Sequence, residues 1–263
     1  MKSGTTNGKI MTAPAMTDDS FIHTIDIAPG VHAGFTCRST ITPSPYSGIN
    51  MCHYTGDEPE HVAYCRDRFS KATGIPQERI IIPRQTHSAD CAVIDRIPVE
   101  ESIINGVDAL VTTLTEVIIG VSTADCVPVV LADADNGVIG VAHAGWRGAL
   151  AGVTDNAVDA MLRCGACIDN IKAAMGPCIC PDCFEVGEEV AENFPDRFIV
   201  RGFAKPHVDL PLYVKSRLEA RGIAPSMIKM PPACTRCAPD IYFSARALGI
   251  NSGRIYTFIT LDT

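Results

Sequence analysis

Three apolar, β-branched runs follow one another with almost nothing between them, at residues 117–122, 127–133 and 138–142. A parallel connection takes a dozen residues or more, usually spent on a helix. These gaps are far shorter, so the runs dictate strands that pair mostly antiparallel. Further strand patterns lie at 31–37, 79–83, 91–95, 107–112, 171–175, near Phe198 and at 254–260. Helical spacing predicts helices over 57–73, with Val62, Cys65 and Phe69 on one face, and over 146–163, with Leu150, Val153, Ala157, Val158 and Met161. Shorter helices are expected at 187–193, 210–221 and 241–248. Strands in runs with helices outside them define an α+β fold: a layered α/β sandwich around a mostly antiparallel or mixed central sheet.

No repeat or low-complexity linker divides the 263 residues, so 21–263 is read as a single catalytic domain. Residues 1–20 carry no hydrophobic period and read as a disordered tail or leader. The net charge of −8 repels phosphate backbones and anionic membranes, which argues against nucleic-acid and membrane partners. No apolar stretch is long enough to span a bilayer, and no secretion signal is visible. A cytoplasmic location follows as the expectation, with the 12 cysteines reduced and mostly buried as small hydrophobes.

Three stretches place metal-capable groups at the ends of apolar strands: Arg84-Gln85-Thr86-His87-Ser88, Thr123-Ala124-Asp125-Cys126-Val127-Pro128 and Ala142-His143-Ala144-Gly145-Trp146-Arg147-Gly148. Asp133-Ala134-Asp135-Asn136-Gly137 is a strong turn signal, so the strands bearing Cys126 and His143 form a hairpin. A long loop puts Ala132 opposite Val138 and Cys126 opposite Ala144, beside His143. A two-residue Asn136-Gly137 turn would put Cys126 opposite Arg147 and draw His143 away. With the long loop and a neighbouring His87, the chain offers two imidazoles and a thiolate, three ligands with a fourth position open, as in catalytic zinc sites. Such donors suit zinc first and copper second. A metal-free nucleophilic Cys126–His143 pair competes with this reading, and spacing does not separate the two.

The cysteines pose a second question. Cys164-x-x-Cys167 and Cys180-x-x-Cys183 are separated by twelve residues, and Cys234-x-x-Cys237 follows. That spacing is similar to a zinc ribbon. The reading sets it aside, because Cys164 ends a helix, a buried strand lies between the first two pairs and Cys178 adds an extra thiol. One metal per chain is expected.

The chain resembles the YfiH or laccase-domain family, also called multicopper polyphenol oxidoreductases and recognised as purine nucleoside phosphorylases. The resemblance runs from Gly34-Phe35-Thr36-Cys37-Arg38 and Asn50 through Gly56-Asp57, Gln85-Thr86-His87-Ser88, Asp108-Ala109-Leu110, the Ala124-Asp125-Cys126 and His143-Ala144-Gly145-Trp146-Arg147-Gly148 motifs, Gly176-Pro177 and Phe184-Glu185-Val186 to Cys234-Thr235, Phe243-Ser244-Ala245-Arg246 and Gly253-Arg254. It implies a sandwich similar to toxin deamidases, and zinc on His87, Cys126 and His143. It also implies phosphorolysis of adenosine, inosine and methylthioadenosine, with inorganic phosphate as co-substrate, and deamination of adenosine. Arginine forks suit phosphate; Arg38, Arg147 and Arg246 lie in the motifs and are candidates for it, with Asn50 and Gln85 as further substrate-binding candidates. Deamination needs an activated water and a carboxylate that moves a proton. Asp125, next to Cys126, is the nearest acid, with hydrogen-bonded support of a metal ligand or turn capping as its alternative role.

After Arg38 the glycine-rich stretch of the family is replaced by Ser39-Thr40-Ile41-Thr42-Pro43-Ser44-Pro45, which leaves one pocket wall undefined. The competing functions are a copper oxidase of phenols, a cysteine or zinc amidohydrolase editing peptidoglycan precursors, and a binding protein without catalysis. A multicopper centre needs many more histidines than the 7 in the chain can supply.

Overall fold

Every residue of the strands at 118–123, 127–133 and 138–144 is buried, which requires cover on both faces. The computed structural model describes residues 21–38 and 42–263; the tail reading for 1–20, and part of the departure after Arg38, lie outside the described residues. The cover comes from a second sheet on one face and helices on the other.

A five-stranded sheet contains β1 (Ile22–Ala28), β2 (Val31–Thr36), β3 (Ile80–Ile81), β6 (Ile118–Thr123) and β13 (Ile255–Leu261), in the order β1-β2-β13-β6-β3. A six-stranded sheet contains β4 (Cys91–Ile94), β5 (Ala109–Thr112), β7 (Val127–Asp133), β8 (Val138–Ala144), β9 (Lys172–Met175) and β12 (Ile228–Lys229), in the order β12-β9-β7-β8-β5-β4. The pair β10 (Ile199–Val200) and β11 (His207–Val208) stands apart. Both large sheets are mixed: β3–β6, β4–β5 and β9–β12 are parallel and the other pairings antiparallel. The central layer is thus two stacked sheets where the sequence reading expected one. Adjacent runs β6 and β7 do not pair, because residues 124–126 carry the chain from one sheet to the other.

Val130, Ala132, Ile139 and Val141 meet Val121, Ile119 and Ile259 between the sheets. The outer face of the six-stranded sheet is covered by α4 (Val153–Arg163) and α6 (Leu210–Ala220), through residues such as Val158, Met161, Val214 and Leu218. The outer face of the five-stranded sheet is covered by α1 (Pro59–Thr73), whose Phe69 lies edge-on to Tyr256 and Phe258 at 5.5 and 5.0 Å. Short helices α2 (Glu101–Ile104), α3 (Trp146–Ala151), α5 (Glu188–Ala191) and α7 (Ala245–Leu248) complete the layers. The single helix expected over 146–163 is two, because Gly152 takes φ +91°, ending α3 and starting α4. No described helix is long and apolar enough to cross a membrane.

The hairpin register corrects the sequence expectation by one residue. Asp133 pairs with Val138 and Pro128 with His143, around a loop of residues 134–137. A one-residue slip exchanges the faces of a strand. In the observed register the even positions of β7 and the odd positions of β8 share the face toward the other sheet, so Cys126, two residues before Pro128, stands at the end of the alternation that holds His143.

Phe69→Ala removes the ring wedged between Tyr256 and Phe258 and should lower stability by about 3–5 kcal/mol, the usual cost of a large aromatic cavity. Chemical denaturation measures this, and an effect under about 1 kcal/mol would contradict the packing described.

Candidate metal centre

Both places where the chain passes from the five-stranded to the six-stranded sheet bring a metal-capable side chain to the rim. The 82–90 segment between β3 and β4 carries His87, and the 124–126 segment between β6 and β7 carries Cys126. Each crossing contains a non-glycine residue in the left-handed region, His87 at φ +61° and Asp125 at φ +87°. Such conformations cost energy and are held by their surroundings. The end of β8 adds His143. The donor atoms of His87, Cys126 and His143 all lie within 4.8 Å of one another, with His87 exposed, Cys126 half-buried and His143 buried. The two rings meet edge-on at 4.8 Å, and Cys126 Sγ lies 4.0 Å from His87 Nε2.

Asp108, wholly buried at the start of β5, holds this set together. Its carboxylate accepts from the backbone N–H of Thr86 (3.0 Å), His87 (3.1 Å) and Ser88 (2.7 Å) and from the Ser88 hydroxyl (3.0 Å). His143 Nδ1 lies 2.6 Å from the same carboxylate, and His143 N–H donates to the Asp108 carbonyl at 2.7 Å. With Nδ1 held against Asp108, Nε2 is the nitrogen that would bind a metal in place of a proton, an orientation typical of a metal-binding imidazole. The sequence reading quoted Asp108 within a motif but gave it no role, since its partners, the 86–88 loop and His143 of β8, are brought to it only by the fold.

The charges are coupled. Burial opposes an Asp108 carboxylate, but His143 and the N–H groups of Thr86 and Ser88 hold its pKa below the ordinary value. Burial likewise opposes a Cys126 thiolate, yet His143 and His87 bring the thiol down to about 6. Burial lowers His143, and the Cys126 charge together with Asp108 reverses this and raises it to about 9.

Space is also controlled. A Cβ on Gly145 would stand 2.8 Å from His87 Cδ2 and 3.1 Å from Cys126 Sγ, so a larger residue there would push His87 out of its present place.

The remaining site candidates divide. Asp125 accepts from the hydroxyls of Thr235 and Ser244, each at 2.6 Å, and from Arg246 N–H at 2.7 Å. Its carboxylate is thus engaged by donors from the 231–246 segment. Arg38 is buried and gives its guanidinium to Ser47 and to the Pro239 carbonyl. Asn50, also buried, bonds Asp57, Thr55, Cys52 and Arg254 N–H. Gln85 exchanges two bonds with the Ser122 backbone, at 2.9 and 2.7 Å. For Arg38, Asn50 and Gln85 these contacts show polar groups that also tie the fold together around the site. Arg147 and Arg246 are exposed. Arg147 stacks on Trp146 at 4.2 Å and makes no ion pair among the described residues, whereas Arg246 donates to the Glu185 carbonyl and lies over Phe184.

Fold and site together define a layered protein of two stacked mixed sheets with a two-imidazole, one-thiol set at the rim between them. The chain belongs to the multi-copper polyphenol oxidoreductase laccase family, whose model matches residues 32–262. It is 44% identical over 245 residues to adenosine deaminase RL5 from an unknown prokaryotic organism, covering 88% of this chain and 94% of that protein. It is 37% identical over 242 residues to a purine nucleoside phosphorylase of Streptomyces coelicolor, covering 90% and 98%. Among solved structures, YlmD from Geobacillus stearothermophilus superposes with a TM-score of 0.80 at 28% identity, covering 89% of this chain and 93% of that one. The YfiH protein of Bacillus licheniformis gives 0.82 at 25%, covering 88% and 93%.

Two outcomes are expected. In chelator-treated protein, alkylation of Cys126 should persist at neutral pH and fall as pH drops through about 6; a midpoint near the ordinary 9.0 would contradict the ion pair. Asp108→Asn should weaken metal binding by about 10- to 100-fold in competition titrations of the folded protein, because the amide cannot accept every bond the carboxylate takes.

Proposed function

We propose that this chain is a zinc-dependent purine nucleoside phosphorylase with adenosine deaminase activity, acting in the cytoplasm with inorganic phosphate as co-substrate. The catalytic unit is residues 21–263. The observation that carries the reading is the convergence of His87, Cys126 and His143 at one open rim, with His143 fixed by Asp108. The names of the two relatives above support the same substrate class.

Two imidazoles and a thiolate fit zinc, and the exposed His87 leaves one side of the set accessible. A bound zinc supplies Lewis acidity toward a substrate oxygen or nitrogen. The chain's own residues do the rest. Asp108 keeps the Nδ1 proton of His143 in place, so the imidazole presents one lone pair in one direction. Gly145 keeps the space between His87 and Cys126 clear.

In phosphorolysis a phosphate oxygen bonds to the anomeric carbon as the bond to the purine nitrogen breaks. Arg147 is the fork best suited to that phosphate, since its guanidinium is stacked on Trp146 and makes no ion pair among the described residues. Arg246 is the second candidate, with one donor already given to Glu185. Asp125 acts as a positioning residue. Its contacts with Thr235, Ser244 and Arg246 favour holding the Cys126 turn over the proton transfer expected from the sequence.

The test is adenosine turnover by the metal-loaded chain with and without phosphate. Adenine and ribose 1-phosphate should appear only with phosphate, and inosine should form without it. Adenine release at an undiminished rate in phosphate-free buffer would identify a hydrolase instead. Arg147→Ala should raise the KM for phosphate while leaving inosine formation close to the parent rate. Equal loss of both activities would remove Arg147 from phosphate binding.

A further inference from the structure

The second set of converging thiols lies outside the site described above. The Sγ atoms of Cys180, Cys183, Cys234 and Cys237 all lie within 4.8 Å of one another. The sequence reading set a cysteine ribbon aside by weighing the Cys164–Cys167 pair against its neighbour in the chain. The pairs that meet are the second and third, brought together by the fold across half a hundred residues. We propose that these four cysteines hold a mononuclear zinc ion that ties two loops together behind the His87–Cys126–His143 set.

Geometry carries this. Zinc–sulfur bonds of about 2.3 Å in a tetrahedron separate the sulfurs by roughly 3.8 Å, and the four thiols are gathered on that scale. Cys183 Sγ lies 3.4 Å from Cys237 Sγ, and Cys180 N–H donates to Cys234 Sγ at 3.2 Å, a bond that favours a thiolate acceptor. Each pair has the Cys-x-x-Cys spacing of a zinc knuckle. A tight turn at Pro181–Cys183 closes the first pair. The knuckles are aligned by backbone pairing just before them: Cys178 and Cys234 form a parallel bridge, with Cys178 N–H to Ala233 O at 3.3 Å and Thr235 N–H to Cys178 O at 3.0 Å. Four sulfurs turned toward one point are what a single shared ion requires, whereas a disulfide would use only two of them. The close spacing also suits one ion better than a multi-iron cluster, whose ligands stand farther apart.

The location gives the ion a purpose. Thr235, between Cys234 and Cys237, donates to Asp125, and Ile179 N–H, next to Cys180, donates to the Asp125 carbonyl at 2.9 Å. Both knuckles therefore lead directly into the contacts that hold Asp125 at φ +87°, one residue before Cys126. Clamping the knuckles fixes those loops without adding a group to the reacting side.

Elemental analysis of the full chain carrying His87→Ala and Cys126→Ser isolates this site from the first. About one zinc per chain should remain, and adding Cys183→Ser with Cys237→Ser should abolish it. Cobalt exchanged into the His87→Ala/Cys126→Ser protein should give the intense sulfur-to-metal absorption and visible bands of a tetrahedral four-thiolate site, which decides the question even where the quadruple variant fails to fold. The proposal is overturned if the His87→Ala/Cys126→Ser protein contains no zinc and takes up no cobalt, if it carries stoichiometric iron instead, or if mass spectrometry finds these cysteines joined as disulfides. None of these outcomes bears on nucleoside turnover, so this site and the proposed activity stand or fall separately.

Discussion

A single buried carboxylate joins the parts of this site. Asp108 binds three consecutive N–H groups of the His87 loop and the imidazole of His143, while its carbonyl takes the His143 N–H. A buried carboxylate is tolerable only when its oxygens are satisfied by donors of this kind. The same bonds impose a left-handed turn on His87 and a fixed ring direction on His143. Losing the carboxylate leaves several buried donors without partners, which costs more than any one bond is worth.

The fold supplies the rest by crossing between layers. Two mixed sheets stacked face to face leave a rim where their strands end, and the chain steps from one sheet to the other there twice. Both steps are backbone irregularities, and each delivers one donor. His143, at the end of the regular strand β8, is the fixed point against which they are set. Strain at the crossings is sustained from both sides: by Asp108 at His87, and by Thr235, Ser244 and Arg246 N–H at Asp125.

Much of this was legible in the sequence. The β-branched runs read at 127–133 and 138–142 are strands at 127–133 and 138–144, and α1 carries Val62, Cys65 and Phe69 inward as its spacing requires. The three donors were identifiable from residue type and strand-end position. Other features were not, for physical reasons. Whether β6 joins β7 or a different sheet depends on β13 and β2, far away in the chain. The two-residue strands β11 and β12 are too short to show a period. The hairpin register hung on one residue in a loop that offers several turns. The hydrogen bonds that Arg38, Asn50 and Gln85 make within the fold were not legible, because a polar side chain in a motif looks the same whether it faces a ligand or closes a hydrogen-bond network. The four-cysteine set was set aside with the ribbon because which pairs meet is decided only in space.

β13 is last in the chain, yet it lies in the middle of its sheet, between β2 and β6. Chains emerge from the ribosome from the N-terminus at a limited rate. Until β13 is made, β2 and β6 therefore lack the strand that will separate and join them, and those backbone edges stay open to any other extended segment. The five-stranded sheet closes only after β13 has been made. The turn that carries Cys126 leaves from the end of β6, where Thr123 pairs with Ile255 of that late strand. Truncation anywhere before residue 255 thus removes more than a tail: it leaves the nascent protein without its central seam.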